Sequence, residues 1–215
     1  MALFQLDPAS IAARVEASGQ LPQVPSLSAS VWRGVFGFTL VSVAGFAPWP
    51  IIDRWFPWMG ETGLYVASTA VFIGLSGPLL HRLIIGPGSL PRFYKLFTLA
   101  FIAYVIVWAA FWMGLRSDMG EIAGLLGGTA AMGAILAFAF DARRSVVKII
   151  AALFVPNTLG YLAGGWVEGK LAIDHRLAAI VLWGICYGVG FGAGLGVAFH
   201  FCQARARAIW LRHSD

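Results

Sequence analysis

Long apolar stretches alternate along the chain with short polar ones. Six windows of at least 19 residues hold no Asp, Glu, Lys or Arg: Gly34–Ile52, Thr62–Leu80, Leu96–Leu115, Ile122–Phe140, Ile149–Val167 and Leu177–Gln203. A helix needs roughly 20 apolar residues to cross about 30 Å of hydrocarbon. Backbone in lipid must satisfy its own hydrogen bonds, which leaves helices or closed barrels, and a barrel would show short alternating strands. The pattern predicts an all-α integral membrane protein with six transmembrane helices. Residues 1–30 read as an N-terminal tail and linker, 31–203 as the helical domain and 204–215 as a basic C-terminal tail. Ile11 and Val15, one turn apart, allow a brief amphipathic helix over Pro8–Ala17, whereas Gln20–Ser30, with Pro22 and Pro25, reads as linker.

The positions of Lys and Arg orient the spans. Arg14, Arg33, Arg82, Arg92, Lys95, Arg143, Arg144, Lys148, Arg205, Arg207 and Arg212 fall in the tails and the even loops, against Arg54, Arg116, Lys170 and Arg176 in the odd loops. Positive charge stays inside, so both termini are expected in the cytoplasm, and the inner membrane of a bacterium is the expected location. The first span serves as its own insertion signal, with no cleavable leader before it.

Composition agrees with this placement. Hydrophobic residues make up 59% of the 215 and charged ones 12%, half the share a soluble domain uses to cover its surface. The net charge of +5 is juxtamembrane, where cations meet anionic lipid headgroups. The expected partners are therefore the bilayer, and a second copy or a larger membrane complex, with nucleic acid excluded. Cys186 and Cys202 share the last span about 24 Å apart, too far to bridge. Trp49, Trp55, Trp58, Trp108, Trp112 and Trp166 fall toward the outer ends of spans, as an aromatic belt would place them.

A faint repeat runs through the chain. Met59-Gly60-Glu61 and Met119-Gly120-Glu121 lie sixty residues apart, which suggests three tandem helical hairpins in parallel orientation. Internal repeats of this kind recur in transporters.

Candidate chemistry is sparse. Gly184, Gly188, Gly192 and Gly196 recur every fourth residue in the last span, a spacing that lets another backbone approach closely. Tight packing on the similarly small face of the fourth span is the expected result. The fifth span centres on Pro156-Asn157-Thr158, with Tyr161 a turn further. Proline frees the carbonyl four residues back, here that of Ala152, and a freed carbonyl beside an Asn at mid-membrane suits a broken-helix binding site. Thr129 on the fourth span and Tyr187 on the sixth complete the candidate ligand-binding set. No acid or base occupies the central part of any window, which points to an uncharged solute, because intramembrane ionisable groups mark ion coupling.

His81 and His200 each follow a glycine by four residues, which would leave room for a haem or chlorin face. Gly74-Leu75-Ser76-Gly77 resembles the GxSG of rhomboid intramembrane proteases, and the resemblance implies Ser76 as nucleophile with His200 as its partner. The match covers four residues. In that family the serine lies on the fourth core helix and the site opens away from the cytoplasm, whereas Ser76 is on the second span at its cytoplasmic end. No metal-ligating cluster and no resident cofactor is predicted.

The leading reading is a small permease or channel-like protein for an uncharged solute, without enzymatic activity. A non-catalytic accessory or packing subunit of a larger membrane complex, with or without bound lipid, haem or pigment, stands second. An intramembrane enzyme built on Ser76 and His200 stands third.

Overall fold

The structure, a computed structural model, describes residues 4–19, 24–171 and 175–211. Gln20, Leu21, Pro22 and Gln23 of the expected linker, and Asp174, Arg212 and His213, lie outside the described residues. The described chain is helical: α1 Pro8–Ser18, α2 Leu27–Phe46, α3 Trp49–Trp55, α4 Gly60–Leu80, α5 Ser89–Leu115, α6 Asp118–Ala139, α7 Val146–Leu171, α8 Arg176–Cys202 and α9 Ala204–Leu211. Six of these, α2 and α4 to α8, are long and apolar enough to cross a membrane, as a multi-pass helical bundle requires.

The helices overrun the charge-free windows. Ser26 caps α2, its hydroxyl accepting from the Ala29 N–H at 3.1 Å, so the first span begins at Leu27, inside the expected tail. Arg33 and Lys95 end the uncharged windows but not the helices, because long cationic side chains keep their stems on apolar surface while the heads turn away. At the other extreme α7 continues to Leu171 and carries Glu168 with it.

The spans form a ring in chain order. Each of α2, α4, α5, α6, α7 and α8 packs on the next, and α8 returns to α2. The closest backbone approaches are made by α8. A Cβ on Gly188 would lie 2.6 Å from the Thr39 Cα, and one on Gly196 would lie 2.6 Å from the Val31 Cα. On the opposite face of α8, a Cβ on Gly190 would lie 2.8 Å from the Gly160 Cα of α7. The expected pairing of the fourth and sixth spans is therefore replaced by α8 wedged between α2 and α7. The small residues of α6 face α5 instead, where a Cβ on Gly128 would meet the Tyr104 carbonyl oxygen at 2.9 Å. Ring order explains the difference, since α7 stands between α6 and α8.

Both internal prolines sit in unbroken helices. Pro78 has no N–H for the Gly74 carbonyl, and the Tyr94 hydroxyl of α5 donates to that oxygen at 2.6 Å. Pro156 likewise frees the Ala152 carbonyl, which abuts α8 where a Cβ on Gly194 would lie 2.9 Å away. The expected break in the fifth span is absent because helix packing covers the gap.

The end of the bundle that carries both termini is closed. α1 lies there with Ile11 and Val15 buried, against Gly86 and α9. Arg92, 5% exposed, donates to the carbonyls of Gly88, Ile85, Gly86, Pro87 and Gln5. Gln203 accepts from the Ile85 N–H at 2.8 Å and donates to the Leu83 carbonyl at 2.7 Å.

Candidate functional site

Aromatic residues, scattered singly along five spans, converge in the half of the bundle away from the termini. There they wall a half-open chamber of ≈ 240 Å³. Phe46 comes from α2, Trp49 from α3, Tyr65 and Phe72 from α4, and Phe101, Tyr104 and Trp108 from α5, while α7 adds Tyr161 and α8 adds Trp183 and Tyr187. Ser68 holds the mouth in place: its hydroxyl accepts from the Trp49 indole N–H at 2.6 Å and donates to the Gly45 carbonyl at 2.9 Å. Trp49 meets Tyr65 edge-on at 5.5 Å, and Tyr65 meets Trp108 likewise at 5.8 Å.

The floor is polar at one point. Buried Asn157 donates through Nδ2 to the Tyr104 hydroxyl at 3.3 Å, and that hydroxyl lies 3.4 Å from the Tyr187 hydroxyl. Asn157 Oδ1 is buried with no hydrogen-bond partner among the described residues. Below the floor the bundle is filled by phenylalanine. Phe38 stacks on Phe191 at 4.6 Å, and Phe93, Phe97 and Phe101 stack down one face of α5 at 5.1 and 5.2 Å. All five are buried, so the chamber does not continue to the terminal end.

The sequence-predicted ligand set divides on this geometry. Tyr161 and Tyr187 line the chamber, and Asn157 stands beneath it, one hydroxyl away. Thr158 does not line it. Thr129 is buried in α6 and turns its hydroxyl back to the Leu125 and Leu126 carbonyls at 2.7 and 3.1 Å. Glu168, Trp183, Tyr65 and Tyr104 were not singled out from sequence. An aromatic residue in an apolar helix carries no signal of its own, and Glu168 falls just outside its window.

The remaining candidates lie elsewhere. His81 pairs through Nδ1 with the Ser89 hydroxyl at 2.8 Å. Ser76 Oγ and His200 Nδ1 are both buried without a hydrogen-bond partner, so no bond joins them. Near His200, whose carbonyl accepts from Arg207, burial holds the Arg207 guanidinium below its usual range. No group of three or more metal-ligating side chains occurs among the described residues.

A second, almost wholly apolar groove runs between α4 and α5 on the outside of the bundle, past Val66, Ile102 and Ile106. Tyr65, Thr69, Val105 and Trp108 border both groove and chamber, so the α4–α5 wall is one side chain thick.

Compared with family models, curated proteins and solved structures, the chain matches none.

Proposed function

We propose that this protein is a small-solute permease, in a form open at the face away from its termini. The cation asymmetry read from the sequence makes that face external. The observation that carries the reading is the chamber: a concave aromatic site with a few convergent polar groups is the general form of a small-ligand pocket. Its floor at Asn157 lies near the middle of α7, the depth at which transporters hold their cargo. The buried phenylalanines beneath it favour a carrier over an open channel. A pore would need a continuous wet path, and this one ends in packed rings.

Cysteine accessibility tests the reading. With Cys186 and Cys202 replaced by serine, Thr69→Cys in the chamber should react in intact cells with a small impermeant thiol reagent. Phe97→Cys in the packed column should not. A Thr69→Cys that resists labelling in folded protein would remove the external chamber and the proposal with it. Asn157→Leu should lower solute uptake per folded molecule by more than it lowers the melting temperature would predict. An interhelical hydrogen bond in a membrane contributes only about 0.6 kcal/mol on average, so losing this one need not unfold the bundle.

A further inference from the structure

The solute reading leaves the chemistry of the cargo open, and the inference that follows rests on that reading. Ten of the fifteen side chains around the chamber are aromatic. Three are the indoles of Trp49, Trp108 and Trp183, the rings that attract a cation most strongly. Among the described residues the one charged side chain on the wall is Glu168, and no Lys, Arg or His lines it. Two more carboxylates touch chamber tyrosines from behind. Glu61 accepts the Tyr65 hydroxyl at 3.2 Å, and Glu121 faces the hydroxyl of Tyr161.

These features select a charge sign. An anion would be repelled by the Glu168 carboxylate on the wall. A neutral solute would leave it uncompensated. A compact cation would be drawn by Glu168 and by the ring quadrupoles together, and an alkylated ammonium, weakly hydrated and apolar at its surface, loses little on leaving water. We infer that the chamber binds a small quaternary ammonium cation, with Glu168 as counter-ion and Trp49, Trp108 and Trp183 as its aromatic cage. A cationic cargo departs from the uncharged solute expected from the empty span centres: Glu168 lies one residue beyond the charge-free window Ile149–Val167, and α7 carries it to the chamber wall.

The probe pair is choline and its neutral carbon isostere, 3,3-dimethylbutan-1-ol, which share shape and hydroxyl and differ in charge. In the Thr69→Cys protein, choline should slow labelling saturably, with half-protection at a concentration at least ~10-fold below that of the isostere, as a desolvated cation–π site requires. Glu168→Gln should cut that preference for choline while leaving protection by the isostere unchanged. Tryptophan fluorescence titration of the unmodified protein supplies a second reading free of the cysteine. Equal protection by both probes, or labelling that neither slows, would overturn the cationic site while leaving an accessible chamber in place. A Thr69→Cys that never labels would instead defeat the permease reading beneath it.

Discussion

Replacing Gly188 by alanine tests the packing of α8 at the scale of a single methyl group. In sequence Gly184 and Gly188 are equivalent members of one four-residue series. In the structure they differ. A Cβ on Gly188 would come to 2.6 Å from the Thr39 Cα and 3.0 Å from the Ser42 Cβ, whereas one on Gly184 would rest 3.5 Å from its nearest neighbours on α2. The Gly188 methyl falls about 0.8 Å short of the 3.4 Å at which ordinary contact begins. Because the obstacle is backbone, α2 must move away, and a gap of that size forfeits a quarter to a half of each dispersion contact it opens. Overpacking costs typically 1–3 kcal/mol, and against a backbone that cannot rotate aside the upper half of that range, about 2–3 kcal/mol, applies, partly offset by the roughly 1 kcal/mol by which alanine outranks glycine in a helix. The Gly188→Ala protein should therefore be less stable by about 1–2 kcal/mol, a fall of about 2–8 °C in melting temperature for a chain of this size. Gly184→Ala should stay within about 0.5 kcal/mol of wild type, and Gly165→Ala, whose methyl would meet nothing within 4 Å, should match or exceed it. Thermal unfolding in mild detergent, followed through the nine tryptophans, reads all three. Equal losses at Gly184 and Gly188, or a Gly188→Ala protein that melts with wild type, would refute the close α2–α8 approach.

Other expectations follow from single side chains. Arg92→Met should strand several carbonyls that Arg92 now bonds, at about 1–3 kcal/mol for each one left dry, and should expose Arg14 in α1 to trypsin faster than global unfolding does. Asp7 caps α1 through the Ser10 N–H at 3.0 Å and the Ser10 hydroxyl at 2.6 Å. Burial pushes its pKa up, but these hydrogen bonds outweigh burial and hold it below the usual value of 3.8. The cap's contribution is complete above that value and is lost as pH falls through the lowered one. Amide exchange over Pro8–Ser18 should therefore quicken below about pH 4 relative to its intrinsic rate, and Asp7→Asn should abolish that step. Tyr94→Phe should cost about 1 kcal/mol by freeing the Gly74 carbonyl, yet nearly nothing in a Pro78→Ala background, where the helix supplies its own donor; equal costs in both backgrounds would deny the pairing.

The spans were legible because lipid excludes charge, and twenty charge-free residues have few other uses. Their ends were less so. Arg92 reads as a loop cation, yet five backbone carbonyls, one of them Gln5 on the tail, draw it into the bundle. Glu168 stands one residue beyond its charge-free window, and only the extra turn of α7 brings it to the chamber. Asn157, Tyr161 and Tyr187 stand out in sequence as polar groups among apolar ones. Tyr65, Trp108 and Trp183 do not, because the property that matters, convergence from three different helices, is absent from any one segment. The glycine series of α8 announces a close neighbour without naming it. Which helix that is depends on ring order, and ring order is set by all six spans at once.

On the permease reading proposed above, that ring order also limits how the chamber would open to the other side. α8 is held at backbone distance by α2 and by α7, and sliding any of the three would drive a neighbouring backbone into a glycine face. They should move as one body. Phe38 and Phe191, 4.6 Å apart within that body, would travel together. The ring contacts that cross to α5 are longer, from Tyr104 to Phe191 at 5.3 Å, through Phe93 to Phe199 at 5.9 Å and Phe101 to Phe191 at 6.3 Å, to Phe38 to Phe101 at 6.5 Å. The seam through the aromatic column therefore runs along α5, whose own phenylalanines stack into a single ladder. Arg92 stands at the first turn of that ladder and donates to the Gln5 carbonyl, just ahead of α1, so the docked N-terminal helix is tied to the element that would move on this reading. Releasing it with Arg92→Met should raise the reactivity of Phe97→Cys toward a thiol reagent applied from the terminal side in inverted vesicles, with Thr69→Cys on the far side slowed in step. A rise at Phe97 without the opposite change at Thr69 would mean local loosening in place of alternating access. No change at either position would put the seam on another helix.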